Sequence, residues 1–113
     1  MKTRSAITTH ILDTSRGVPA AGVEVILEIQ SAEGWKKAAQ GKTNSDGRID
    51  DWLPLDAKAS AGIYRLTFNT GAYFKGESLY PEICVQFKLD SPEKHYHIPL
   101  LLSPYGYSTY RGT

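Results

Sequence analysis

Val23, Val25, Leu27 and Ile29 alternate with Glu24, Ile26, Glu28 and Gln30. A helix face repeats every 3.6 residues, so a period of two describes a strand with one side in a core. The rhythm recurs along the chain. Ser5 to Asp13 is rich in β-branched residues and ends in the turn-forming run Thr14 to Gly22, which reads as a first strand and a loop. After the second strand, Ser31-Ala-Glu-Gly34 supplies a hairpin turn, and a third strand runs from Trp35 to Thr43. Asn44-Ser-Asp-Gly47 is a strong turn signal, since Asp-Gly supplies the positive φ that a tight hairpin needs. Arg48 to Leu53 makes a short fourth strand, followed by a longer connection, Pro54 to Gly62.

Tyr64, Leu66 and Phe68 share one face of a fifth strand, Ile63 to Asn69, and Thr70 to Ser78 loses the alternation and allows one or two helical turns. Ile83 to Leu89 forms the sixth strand, with Cys84 expected as a small buried residue within it. The last nineteen residues read as two more strands around a Ser103-Pro-Tyr-Gly106 turn. Eight short strands, turns bearing Gly or Pro and no sustained helical period predict an all-β antiparallel sandwich or barrel, one domain over residues 1–113.

Charge excludes some partners. With 13 basic and 12 acidic residues and no basic cluster, neither nucleic acid nor an anionic membrane has an electrostatic footprint here. Met-Lys-Thr-Arg-Ser leads into no apolar run, so the start reads as neither a signal peptide nor a membrane span. The lone Cys84 has no partner for an intramolecular disulfide, and a cytoplasmic location is expected.

The terminal stretch is where chemistry gathers. It carries Tyr105, Tyr107, Tyr110, His95, His97 and Arg111, a composition that predicts docking against the body of the protein. Alternation sets His95 and His97 on one strand face and Tyr96 and Ile98 on the other. The two histidines could supply two ligands of a metal site, yet strand histidines bordering a core more often bond locally. Ser103 and Ser108 lack a nucleophile elbow, and Asp13, Asp46, Asp50 and Asp51 read as turn or solvent-face residues. Tyr80, Tyr105 and Tyr107 are expected to fill the sandwich or a subunit interface. By these patterns alone, no arginine stands out from the others.

His97-Ile-Pro-Leu-Leu-Leu-Ser-Pro-Tyr-Gly-Tyr-Ser-Thr-Tyr-Arg-Gly112 closely resembles the signature of the 5-hydroxyisourate hydrolases, the transthyretin-like enzymes of purine breakdown. Three further stretches agree: Thr9-His-Ile-Leu-Asp-Thr-Ser-Arg-Gly-Val-Pro-Ala20, Thr43-Asn-Ser-Asp-Gly-Arg48 and Leu79-Tyr-Pro-Glu82. The resemblance covers essentially the whole chain. It implies a transthyretin-like sandwich of two four-stranded antiparallel sheets, with a short helix after the fifth strand. It implies hydrolysis of 5-hydroxyisourate in urate degradation without metal or organic cofactor, in a homotetramer built as a dimer of dimers. The family's catalytic positions fall on His10, Arg48 and His97. Its terminal signature falls on Tyr110, Arg111, Gly112 and Thr113 as substrate contacts, with threonine where the family usually has serine. His95 matches no family catalytic position. The competing expectation from the same resemblance is a transthyretin-like small-molecule binder without turnover.

Overall fold

The computed structural model describes residues 5–53 and 59–113. The first four residues, and residues 54–58 of the expected long connection, lie outside the described part. Two sheets face each other. One orders β4 (Gly34–Lys42), β3 (Glu24–Ser31), β6 (Gly62–Phe68) and β7 (Ile83–Leu89), all antiparallel. The other orders β2 (Val18–Pro19), β1 (Ile7–Asp13), β8 (Tyr96–Ser103) and β9 (Gly106–Thr109), with the two-residue β5 (Arg48–Ile49) also paired to β1. The helix expected after the fifth long strand is a single turn, α1 (Thr70–Tyr73).

Alternation places the core between the sheets. Val23, Val25 and Leu27 meet Tyr64, Leu66, Phe68, Ile83 and Leu89 from one sheet and Ile7, Ile11, Tyr96, Ile98, Leu100 and Leu102 from the other, all buried. Every residue on the opposite side of β1 and β8 is thereby turned outward, which is what makes a site on that face available. Among the described residues, no helix is long and apolar enough to cross a membrane.

Five expectations differ from the structure in detail. The structure has nine strands, because Val18–Pro19 in the first loop pairs with Leu12 and Asp13. The pairing is not antiparallel throughout: β1 and β8 run parallel from Ile7↔Tyr96 to Asp13↔Leu102, a long-range contact that local alternation does not encode. The Asn44–Gly47 turn closes locally, with Gly47 N–H donating to Asn44 O at 2.9 Å, but it is not a hairpin. It carries the chain from one sheet to the other: β4 pairs with β3, whereas β5 pairs with β1. Cys84 is exposed, pointing outward with Gln86 and Lys88 while Ile83 and Val85 point in. Of the three tyrosines expected to fill the sandwich or a subunit interface, Tyr80 packs against the core, whereas Tyr105 and Tyr107 are 76% and 43% exposed on the outside, Tyr107 edge-on to Tyr80 at 5.4 Å.

The end of β1 is pinned by Asp13, whose carboxylate accepts from Ser15 N–H and Oγ–H, Arg16 N–H and Tyr73 Oη–H at 2.6–3.2 Å. Burial raises the proton affinity of this carboxyl, but the four donors outweigh it and hold the acid below its ordinary value. Replacing Asp13 by alanine strands the Tyr73 hydroxyl and two main-chain donors. It is expected to destabilise the protein by about 2–3 kcal/mol, readable as a drop in the thermal midpoint. An unchanged midpoint would show the network to be dispensable.

Candidate active site

The parallel register of β1 and β8 sets Thr8 opposite His97 and His10 opposite Pro99, while the antiparallel register of β1 and β5 sets Arg48 opposite His10. Directly paired residues share a face, so Thr8, His10, Arg48, His97 and Pro99 come together outside the core. They line an open cleft of about 290 Å³ together with Leu12 and Asp50, and residues Tyr110, Gly112 and Thr113 close one side. Three separate local features deliver these groups.

His10 comes from the alternation of β1. Arg48 comes from the turn before it: Gly47 sits at φ +76°, and a Cβ there would collide with the carbonyl oxygen of Ile11. Only glycine lets this segment approach β1 closely enough for Gly47 O to accept the Ile11 N–H at 2.8 Å. His97 comes from the start of β8 and is covered by the returning tail, Gly112 N–H donating to His97 O at 2.8 Å.

The His10 and His97 ring centroids are 6.4 Å apart. Partial burial is the main influence that lowers the proton affinity of both rings from the ordinary 6.5, and the Arg48 guanidinium is the next. For His10 a main-chain hydrogen bond at Asp46 and the carboxylates of Asp50 and Asp46 push the other way; for His97, His95 and His10 add to the lowering and Asp50 opposes it. Both imidazoles are therefore held neutral near pH 7, the state in which a ring nitrogen can accept a proton.

Unfolded histidines take up protons first as pH falls, so the contribution of these rings to stability is complete above about 6.5 and declines below it. Replacing Arg48 by methionine removes the neighbouring positive charge and is expected to move the titrations of His10 and His97 upward, as followed by NMR of the ring protons. If neither moves, the guanidinium does not govern their proton affinity.

Of the positions singled out in the sequence, the cleft gathers His10, Arg48, His97, Tyr110, Gly112 and Thr113. Arg111 is turned elsewhere. Its guanidinium lies 4.3 Å from the Tyr96 ring centroid and donates to His95 O at 3.3 Å, so it fastens the tail and does not line the cleft. Thr8, which no local pattern singles out, also lines the cleft, and so does Asp50, which reads from the sequence as a turn or solvent-face residue. Thr8 was within reach of alternation, two positions before His10 on the same strand, whereas Asp50 sits beside a two-residue strand with no periodicity to read. His95, which matches no family catalytic position, stacks with His97 at 6.4 Å and 16°.

Sandwich and cleft together define a class: a small β-protein presenting two neutral imidazoles and a guanidinium to a ligand on the outer face of one sheet. Comparison with known proteins agrees. Residues 7–112 match the HIUase/Transthyretin family. The 5-hydroxyisourate hydrolase of Salmonella dublin is 49% identical over 110 residues, covering 95% of this chain and 80% of that protein. The structure of Klebsiella pneumoniae 5-hydroxyisourate hydrolase superposes with a TM-score of 0.82 at 39% identity, over 95% of this chain and 98% of that one. Sea bream transthyretin in complex with thyroxine superposes with a TM-score of 0.83 at 32% identity, over 96% and 95%. The chain belongs to the HIUase/Transthyretin family.

Proposed function

We propose that this chain is a 5-hydroxyisourate hydrolase of urate catabolism, opening its substrate to 2-oxo-4-hydroxy-4-carboxy-5-ureidoimidazoline. The observation that carries the reading is the convergence of His10, Arg48 and His97 on one cleft in a chain 49% identical to an enzyme of that name. Water adds to a ring carbonyl, the adjacent C–N bond breaks, and the released nitrogen takes a proton. His10 and His97 divide the proton work, one accepting from water and the other serving the leaving nitrogen, a contribution of about a hundredfold to ten-thousandfold. Arg48 orients the urate-like ligand and stabilises the oxyanion formed at the carbonyl. Tyr110, Gly112 and Thr113 bound the substrate from the tail side, with the Thr113 hydroxyl available as a hydrogen-bond partner.

The cleft volume lies near the lower end for small-ligand sites, about 300 Å³ and upward, which suits a compact bicyclic substrate. The homotetramer, a dimer of dimers, is part of the proposal. It is supported by Leu79, Tyr105, Tyr107 and Tyr110, large apolar groups exposed on the single chain. A cytoplasmic setting is supported by Cys84, an exposed free thiol.

The test is decay of freshly generated 5-hydroxyisourate, followed by absorbance with and without the protein. Catalysed decay is expected, and decay no faster than the spontaneous reaction would remove the enzyme reading. Saturable binding of an aromatic ligand without turnover would instead favour a carrier.

A further inference from the structure

Thr8 Oγ1 lies 2.7 Å from His97 Nδ1 and 3.0 Å from His95 Nε2. A hydroxyl carries one proton and two lone pairs, so it can donate to one ring and accept from the other, or accept from both. Acceptance from both rings leaves His97 with its hydrogen on Nδ1, and two further arrangements spend the hydroxyl proton within the network. In the first, His97 Nδ1–H donates to Thr8, Thr8 Oγ–H donates to His95 Nε2, and His97 Nε2 keeps a bare lone pair. In the second every bond is reversed, and His97 Nε2 carries the hydrogen.

One consideration favours the first over its reverse: it survives proton uptake unchanged. An imidazolium donates from both nitrogens, so the Nδ1–H bond to Thr8 persists when Nε2 takes a proton and no group in the chain has to turn. In the second, charging His97 would set its new Nδ1–H against the Thr8 hydroxyl hydrogen.

We propose that Thr8 is a positioning residue: held between His95 and His97, its hydroxyl fixes His97 in the Nδ1–H tautomer and leaves Nε2 open toward the cleft. His95 is the acceptor that orients the hydroxyl. The kinetic consequence rests on the hydrolase reading, whereas the tautomer does not.

The experiment combines long-range 1H–15N NMR of histidine-labelled protein at neutral pH with steady-state turnover of 5-hydroxyisourate by wild type, Thr8→Val and Thr8→Ser. Wild-type His97 is expected to be protonated at Nδ1. Thr8→Val should lose that preference and fall about tenfold or more in kcat with KM little changed, while Thr8→Ser retains both. A wild-type His97 carrying its hydrogen on Nε2 would overturn the proposal, whether or not the valine variant folds. So would a valine variant with unaltered tautomer and kcat. If wild type shows no turnover, the hydrolase reading fails and the tautomer alone decides the role of Thr8.

Discussion

Replacing His97 by asparagine is expected to lower turnover of 5-hydroxyisourate by about a hundredfold to ten-thousandfold while leaving the fold intact. The loss is chemical because His97 is one of the two imidazoles, with His10, among the described residues that line the cleft. An amide retains hydrogen-bonding capacity but takes up no proton near pH 7. The fold survives because the His97 side chain lies outside the core, between the buried Tyr96 and Ile98, and the tail is tied to the His97 main chain. Initial rates and a circular-dichroism melt check both halves. Turnover within about threefold of wild type would remove His97 from the mechanism. His10→Asn should cost a comparable factor. If the rings act as a unit, the double variant will lose little more than the worse single one, since residues sharing a step are not additive.

Gly112→Ala is the second large effect, and it comes from steric contact rather than lost chemistry. A Cβ at residue 112 would lie 2.6 Å from His97 Cδ2 and 3.1 Å from Pro99 Cγ. Neither neighbour can yield cheaply: Pro99 is rigid and buried, and the His97 ring is held by Thr8 on its far side. Either the ring moves or the tail lifts and breaks the bond from Gly112 N–H to His97 O. Displacement of a reacting group by about 1 Å can cost about a hundredfold, so kcat should fall on that scale. The thermal midpoint should move little, since the contact lies on the outer face of the sheet. Wild-type kinetics for Gly112→Ala would mean that the tail does not set the position of His97.

Local sequence was informative wherever one strand face decides the outcome. Val23, Val25 and Leu27, Tyr64, Leu66 and Phe68, and Tyr96 and Ile98 are buried as the period of two requires, because a strand leaves its side chains only two directions. The same logic should have put Cys84 outside with Gln86 and Lys88, and the general tendency of cysteine to be buried was the weaker guide. The Asn44–Gly47 turn was legible as a turn, but which sheet received the following strand was not.

Alternation, turns and, through its motifs, the family and the candidate site residues were legible in the sequence alone. Tertiary structure decided what stands beside what. His10, Arg48 and His97 are far apart in the chain and become neighbours only through the parallel pairing of β1 with β8 and the crossing of Gly47 onto β1. Those pairings depend on how two sheets close over one core, an interaction between distant segments that no local pattern carries. The same packing turned Arg111 away onto Tyr96 and brought Thr8 between two histidines, arrangements set by register and not by residue type.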